Sequence, residues 1–143
     1  MSIKRRGYAR WSGDTFKGSG AISTASGALQ DQPYGFTSRF GDVPGSNPEE
    51  LLAAAHAACF TMALTVTLGG AQFVAQSLET SAEVKLEQID GGYVITAVHL
   101  TVNGCVEDCD AMTFDYLANE AKANCPVSKA LNAKITLDTK LLD

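Results

Sequence analysis

The stretch NPEELLAAAHAACFTMALTV, residues 47–66, decides the fold of this chain. Asn47 is a favourable N-cap, Pro48 suits the first helical position, and two glutamates follow at the positive end of the helix dipole. The apolar run behind them predicts one long helix that continues to about Leu68 and stops at a pair of glycines. A helix with so few charges belongs in a protein core, so the other elements are expected to pack around it.

Within this helix, Cys59 and His56 raise the question of whether the helix holds a reactive thiol or only core side chains. Free cysteine is among the most buried residue types, and an apolar setting raises the pKa of a thiol, so Cys59 needs a nearby cation to react. His56 lies three residues earlier, on about the same side of the helix, where it could serve as a base. A lone histidine in an apolar helix is more often a hydrogen-bonded core residue, and we prefer that interpretation.

Strands are predicted on both sides of this helix. The first forty residues hold three short stretches bounded by turn residues, and these predict an antiparallel meander: KRRGYARWSGD, GSGAISTASG and PYGFTSRFGD. Behind the helix, SAEVKLEQI alternates between apolar and polar residues, DGG predicts a tight turn, and YVITAVHLTVN predicts the returning strand of a hairpin.

The last third of the chain adds two helices and a strand. TFDYLANEAKANC places Phe114, Leu117 and Ala121 on one stripe and predicts an amphipathic helix. PVSKAL predicts a short helix after Pro126, and AKITLDTKLL predicts a final strand. This order of elements predicts an α+β fold in a single domain, residues 1–143, with helices packed against an antiparallel sheet.

Composition excludes several classes of protein. The 143 residues are 45% hydrophobic, enough for an ordinary core, and a net charge of −5 argues against a nucleic-acid binder. The N-terminal segment lacks the apolar run of a secretory signal, and the apolar segment 51–68 is broken by His56 and three threonines, so no membrane span is expected. With four cysteines and no signal peptide, the chain is expected in the reducing cytoplasm, where thiols more often serve catalysis, metal binding or packing than structural disulfides.

Cys125 has the stronger local case for reactivity. It precedes Pro126 and is a plausible N-cap, where the helix dipole lowers the pKa of a thiol. Local electrostatics alone would favour Cys125 over Cys59 as the nucleophile, although a spacer at a helix break is the plainer interpretation. Arg39, flanked by aromatic residues in GFTSRFGD, is either an ordinary surface arginine or a cation held near a thiolate.

Cys105 and Cys109, with His99 and Asp110 nearby, raise the hypothesis of a zinc-dependent structural module. Their C-x3-C spacing falls within the range of zinc ligand pairs, but no second pair stands at a matching spacing. Two incidental thiols in a surface loop fit the pattern better, and a local disulfide depends on the geometry of the loop. We therefore expect no bound metal.

The motifs NPEELLAAAHAACFTMAL and AKANCPVSKAL together closely resemble those of the OsmC/Ohr family, the osmotically inducible and organic hydroperoxide resistance proteins. The opening residues, from GYARWSGD to QPYGFTSRF, and the ending AKITLD are similar to the OsmC branch, so the resemblance covers nearly all of the chain. It implies an intertwined homodimer in which antiparallel sheets pack around long central helices and two active sites lie at the interface. Residues 104–110 depart from the Pro-Gly-type turn usual in relatives, so Cys105 and Cys109 are left outside the active site.

By this resemblance, the chain is a cysteine-based peroxidase that reduces organic hydroperoxides, and hydrogen peroxide more weakly, without haem, flavin, metal or other cofactor. Cys59 is then the peroxidatic cysteine, and Cys125 resolves its sulfenic acid as an intramolecular disulfide. An external dithiol, for which lipoylated protein is a candidate, restores both thiols. Glu49 matches the carboxylate of the family's NPE motif, and Arg39 is our choice for the arginine that holds the thiolate and the peroxide.

Two further expectations concern the substrate and the partner chain. Four apolar side chains are predicted to line a hydrophobic entrance to Cys59 that favours organic hydroperoxides: Phe36, Phe40, Phe60 and Met62. Glu49 and Cys59 are ten residues apart on one helix, which is about 15 Å at 1.5 Å per residue. We therefore expect Glu49, with Arg39, to serve Cys59 of the second chain in a homodimer with shared active sites.

A non-catalytic protein of the same fold is the alternative. It would hold small hydrophobic ligands in the apolar pocket, with its cysteines as relics. The combination of Cys59 and Cys125 with an available arginine and carboxylate argues against that hypothesis.

Overall fold

The structure, a computed structural model, describes residues 1–142. It divides into two compact units, the first formed by residues 1–51 and the second beginning at Leu52. The prediction of a single domain remains a prediction.

The first unit is built on a small antiparallel sheet. Its strands are β1 (Gly7–Ser12), β2 (Ser19–Thr24) and β3 (Gln32–Tyr34), and they lie side by side in chain order. This confirms the predicted meander. A five-residue helix, α1 (Phe36–Phe40), follows β3 directly.

The prediction of a strand through Arg39 is wrong, because the chain turns into α1 after Tyr34. At the start of this helix, Ser38 Oγ accepts a hydrogen bond from the Gly35 N–H at 2.9 Å. The Arg39 N–H in turn donates to the Gly35 carbonyl oxygen at 3.1 Å, which closes the helical turn. Local capping by serine therefore outweighs the aromatic strand propensity of this segment.

The long helix is α2 (Pro48–Gly70), which begins in the first unit and continues into the second. Asn47 Oδ1 accepts the Glu50 N–H at 2.8 Å, which confirms the predicted N-cap. Its buried residues recur at every fourth position: His56, Phe60, Leu64 and Leu68. By length and composition alone, α2 could cross a membrane, but the core helix of a globular protein passes the same test. In this chain, the buried stripe of α2 packs into the core of the second unit.

The sheet of the second unit holds β4 (Ala75–Ile89), β5 (Gly92–Val106) and β6 (Lys134–Leu141) in that order. The predicted hairpin joins β4 to β5, and both central turn residues, Asp90 and Gly91, have positive φ, as a tight hairpin turn requires. β6 pairs parallel to β5, so this sheet is mixed and not wholly antiparallel. An alternating sequence fixes the face of a strand but not its direction, and parallel neighbours need a long crossover.

That crossover contains α3 (Ala111–Asn124) and α4 (Pro126–Ala130), both of which the sequence predicted. Phe114, Leu117 and Ala121 are buried on one stripe of α3, as expected. At Gly104 on β5, any side chain would collide with the Phe114 ring, so glycine allows α3 to lie close against the sheet. The crossover thereby brings the junction of α3 and α4 into the same core cluster as α2.

Candidate active site

Cys125 lies at the junction of two helices. Its N–H donates to the Ala121 carbonyl oxygen at 2.9 Å and ends α3, while its own carbonyl oxygen accepts the Lys129 N–H at 3.1 Å and begins α4. Pro126, at the first position of α4, has no N–H to lose, as the sequence suggested. The side chain of Cys125 is fully buried. A helix break thus fixes this thiol in the core at a helix N-terminus.

The side chains of Cys59 and Cys125 lie close enough together that each shifts the pKa of the other, although α2 and the α3–α4 junction are far apart in sequence. Burial raises the pKa of Cys59; a hydrogen bond from the Val127 N–H works against this rise, and the adjacent Cys125 adds to it. The structure therefore brings together the two cysteines that the sequence singled out.

The pKa of Cys125 shifts in the opposite direction. Burial alone raises it, but hydrogen bonds from the Ser128 N–H, the Cys59 thiol, the Ser128 hydroxyl and the Val127 N–H together hold it below its usual value. Within the second unit Cys125 is thus the more acidic thiol of the pair, as its N-cap position predicted. Cys59 acquires thiolate character only with a cation beside it.

Cys125 is the more acidic thiol, but Cys59 is the one that solvent and substrate can reach. Cys59 lines an open groove of about 570 Å³ in the second unit, and the wall is mostly apolar, with Met62 71% exposed and Val66 70% exposed. Cys125 does not line it. A hydrophobic molecule in this groove therefore meets Cys59 first, with Cys125 behind it.

Phe60 does not line the groove. It is fully buried among the core residues of the second unit, because it belongs to the every-fourth-residue stripe of α2 and not to the face that carries Met62. The expectation that Phe60 contacts a substrate is therefore corrected, whereas Met62 does lie in the wall of the groove beside Cys59.

Arg39 and Glu49 form a forked ion pair in the first unit. Arg39 Nη2 donates to Glu49 Oε1 at 2.8 Å, and Arg39 Nε contacts Oε1 at 3.1 Å and Oε2 at 3.3 Å. α1 carries the arginine and the first turn of α2 carries the carboxylate. Glu49 is the more buried partner, so it orients the guanidinium while part of Arg39 remains exposed.

An aromatic pocket of about 140 Å³ opens beside this arginine. The Arg39 guanidinium carbon lies 5.0 Å from the centre of the Phe40 ring, and the Phe36 and Phe40 rings are 5.0 Å apart. The pocket is lined by Trp11, Thr15, Tyr34, Gly35, Phe36, Arg39 and Phe40. Two of the predicted substrate-binding side chains thus surround the cation of the first unit.

The residues of the zinc hypothesis are each engaged elsewhere. Cys105 Sγ contacts Gln76 Oε1 at 3.1 Å, and Asp110 Oδ1 accepts the Thr113 N–H at 2.7 Å as the N-cap of α3. His99 contacts Thr136 Oγ1 and Asp138 Oδ2 through its two ring nitrogens. All four cysteines are free thiols, and within residues 1–142 no cluster of three His, Cys, Asp or Glu residues could hold a metal ion.

Sequence reasoning missed the partner of His56. His56 is fully buried, and its Nε2 lies 2.8 Å from Ser128 Oγ. This agrees with the preferred interpretation of a hydrogen-bonded core histidine. His56 and Ser128 are 72 positions apart in the chain, so no local signal in the sequence could have found this contact. Trp11 and Tyr34 of the aromatic pocket were also missed.

Comparison with known protein families gives one match that covers most of the chain. The family model described as OsmC-like protein matches residues 40–140. Both cysteines of the pair and the glutamate of the ion pair fall inside these residues, and the arginine at position 39 adjoins them.

Individual relatives agree with this family. The chain is 50% identical to the peroxiredoxin OsmC of Escherichia coli over 141 residues, 99% of each chain. It is 36% identical to the organic hydroperoxide resistance protein OhrB of Bacillus subtilis over 99 residues, 68% of this chain and 70% of that one. The crystal structure of OhrB superimposes with a TM-score of 0.78 at 31% identity, covering 96% of this chain and 98% of the other.

Proposed function

Because the chain belongs to the OsmC-like family, we propose that it is a cysteine-based peroxidase that reduces organic hydroperoxides to alcohols. The single observation that carries the proposal is the contact between the accessible thiol of Cys59 and the buried thiol of Cys125. A thiol that meets substrate and a second thiol in contact behind it are the two groups that a disulfide-forming peroxidase needs.

The reaction divides into two steps within one chain. The Cys59 thiolate attacks the outer peroxide oxygen, the O–O bond breaks, and the departing alkoxide takes up a proton to become the alcohol, which leaves Cys59 as a sulfenic acid. The Cys125 thiolate then attacks the sulfur of that sulfenic acid and expels hydroxide, which is protonated to water, and a Cys59–Cys125 disulfide remains. An external dithiol reduces this disulfide by exchange and is itself oxidised.

Arg39 supplies a cation for Cys59, whose pKa no cation lowers among the described residues of the second unit, 52–142. A guanidinium beside the sulfur favours the thiolate over the buried thiol, and its free N–H groups can hold the peroxide in line for attack. Glu49 keeps the guanidinium aimed through the forked pair at 2.8–3.3 Å. The Arg39–Glu49 pair is therefore the electrostatic half of the site, and the cysteines are its redox half.

The two halves come from different chains of a homodimer. Ten residues of α2 separate Glu49 from Cys59, about 15 Å along a straight helix, so Glu49 does not reach the Cys59 of its own α2. The exposed apolar wall at Met62 and Val66 supports burial by a second copy, since large apolar side chains in one patch mark protein contacts. Since Arg39 and Glu49 hold each other in one unit, they serve the partner's thiol together.

The apolar groove favours organic hydroperoxides over hydrogen peroxide, because a bulky hydrocarbon tail gains burial there and hydrogen peroxide has none. The reductant is a dithiol, with lipoylated protein as the candidate. Four free thiols support placement in the reducing cytoplasm.

A peroxide-consumption assay with dithiothreitol tests the function. Wild type and the Cys105→Ser/Cys109→Ser variant are expected to consume cumene hydroperoxide at equal rates, and Cys59→Ser to fall to the rate without protein. If Cys59→Ser binds an apolar ligand in the groove and wild type does not consume hydroperoxide, the non-catalytic binding protein replaces this proposal.

A further inference from the structure

A hydrogen bond between two side chains joins the long helix α2 to the short helix α4. His56 of α2 is fully buried, and its Nε2 lies 2.8 Å from Ser128 Oγ of α4. Within residues 1–142, the other ring nitrogen of His56, Nδ1, has no hydrogen-bond partner. Burying an imidazole with one unpaired nitrogen costs more than burying an apolar side chain of similar volume, so packing alone gives no reason for a histidine here.

This bond runs alongside the cysteine pair. His56 and Cys59 are three residues apart on α2, so they lie on about the same side of that helix. Cys125 and Ser128 are also three residues apart, at the start of α4. The Cys125 carbonyl oxygen accepts the Lys129 N–H at 3.1 Å and closes this turn. Each helix therefore contributes one cysteine and one polar side chain to the same region of contact.

Helix α4 depends on tertiary contacts for its position. It has only five residues, too few to be stable through its own backbone hydrogen bonds. Val127 and Leu131 pack against the core cluster, and Ser128 supplies the hydrogen bond to α2. Apolar contacts have no preferred direction, whereas a hydrogen bond fixes both a distance and an angle. The His56–Ser128 bond is thus a directional anchor for the helix that Cys125 begins.

We propose that His56 and Ser128 are positioning residues for the resolving step: their hydrogen bond, the α2–α4 pin, holds Cys125 within reach of the Cys59 sulfenic acid. This role rests on the proposed function and deepens it. The pin takes no part in the bond changes themselves. The Cys125 sulfur forms the S–S bond, the S–O bond of the sulfenic acid breaks, and the departing hydroxide takes up the proton that the Cys125 thiol releases.

The pin matters because a second reaction competes for the sulfenic acid. Another molecule of hydroperoxide converts it to the sulfinic acid and is reduced to alcohol, which ends turnover. Disulfide formation is faster than this reaction only while the Cys125 sulfur is held nearby at a high effective concentration. A loosened α4 therefore slows resolution and increases the share of Cys59 that is oxidised irreversibly.

Amide hydrogen exchange tests the pin without any turnover. The N–H groups of Lys129 and Leu131 close the backbone turns of α4. In reduced His56→Leu, which leaves the sequence of α4 intact, both amides are expected to exchange about tenfold faster than in the parent. The Phe114 N–H at the start of α3 should keep its rate. Unchanged exchange at both α4 amides would overturn the proposal.

Stopped-flow kinetics measure the resolving step in a Cys105→Ser/Cys109→Ser background. Ser128→Ala, which removes the bond from its other end without changing the buried face of α2, is expected to leave the oxidation of Cys59 by cumene hydroperoxide unchanged. It should slow disulfide formation about tenfold. Mass spectrometry of the intact chain should then show about ten times more sulfinic acid per turnover. Disulfide formation as fast as in the parent would overturn the pin.

Conservative variants and a matched control separate the pin from packing in general. Ser128→Thr keeps the hydroxyl, and His56→Gln keeps a polar atom near the position of Nε2, so both are expected to resolve the sulfenic acid like the parent. Thr61→Val removes a different side-chain hydrogen bond of α2, the 2.7 Å contact with Thr80 of β4, and should also leave disulfide formation unchanged. Equal slowing in Thr61→Val and Ser128→Ala would overturn the pin.

A double variant shows whether the two residues act through one bond. His56→Leu/Ser128→Ala should form the disulfide no more slowly than Ser128→Ala alone, because the single variant already lacks the bond. Multiplied losses in the double variant would contradict a shared role. If the parent does not react with the hydroperoxide at all, the proposed function fails, and hydrogen exchange still decides whether the pin holds α4.

Discussion

The thiol of Cys59 on α2 lies beside the thiol of Cys125 at the junction of α3 and α4, and Cys59 opens on an apolar groove whereas Cys125 is fully buried. In the proposed reaction, the more accessible Cys59 meets the peroxide, and the buried and more acidic Cys125 forms the disulfide with it.

Replacing the resolving cysteine is expected to stop the reaction at its midpoint. In Cys125→Ser, one equivalent of cumene hydroperoxide should oxidise Cys59 to a sulfenic acid that a dimedone probe traps, and a second equivalent should carry it to the sulfinic acid, because no thiol is present to close the disulfide. Mass spectrometry of the intact chain measures both products. A disulfide between Cys59 and either Cys105 or Cys109 in this variant would contradict the assignment of Cys125.

The activity is expected to depend on the two-donor contact of the Arg39 guanidinium with Glu49, and not only on the positive charge of Arg39. Arg39→Lys keeps the charge but cannot make the two-pronged contact with Glu49, so kcat/KM for cumene hydroperoxide should fall about 100-fold. The matched control is Arg10→Lys, because Arg10 makes a single, solvent-exposed contact with Asp31 at 2.6 Å. Steady-state kinetics should show no change in the control. Equal losses in both variants would remove Arg39 from the site.

Shared active sites make a prediction about mixed dimers. When Cys59→Ser and Arg39→Ala chains are refolded together, the mixed dimer should contain one complete site, with Cys59 from one chain and Arg39 from the other, and activity should return. A mixture of Arg39→Ala with Glu49→Ala should stay inactive, since both residues serve the same thiol from one chain. Sites built within single chains would leave the first mixture inactive as well.

The groove is expected to set the preference for organic substrates. Met62→Asn should lower kcat/KM for cumene hydroperoxide about tenfold and leave the value for hydrogen peroxide unchanged, since only the organic substrate loses apolar contact. Met112→Asn is the control, because Met112 is similarly exposed but lies on α3, away from the groove walls. Parallel losses with both peroxides would place Met62 outside the substrate contact.

Local signals in the sequence predicted much of this molecule because they act through neighbours in the chain. The N-cap at Asn47, the tight turn at Asp90 and the buried stripe of α3 each depend on a few adjacent residues, and each is as expected. Periodicity says which face of a strand is buried but not which neighbour it pairs with, so the parallel alignment of β6 was not predictable in this way.

The misses in the site have similar physical causes. Phe60 was predicted to contact the substrate because it is next to Cys59 in the sequence. It lies on the buried face of α2, so its ring packs in the core. The helical turn at Arg39 depends on one serine cap that competes with aromatic strand propensity. The contact between His56 and Ser128 joins residues far apart in the chain, and no local pattern predicts it.

The most direct test of the central claim is a single-turnover experiment without reductant. Reduced protein mixed with excess cumene hydroperoxide should release one equivalent of cumyl alcohol per chain, with a matching loss of two thiols and a tryptic fragment that joins Cys59 to Cys125. Cys59→Ser, treated in the same way, should release none. Alcohol release that is unchanged in Cys59→Ser, or a disulfide that lacks Cys59, would contradict the account.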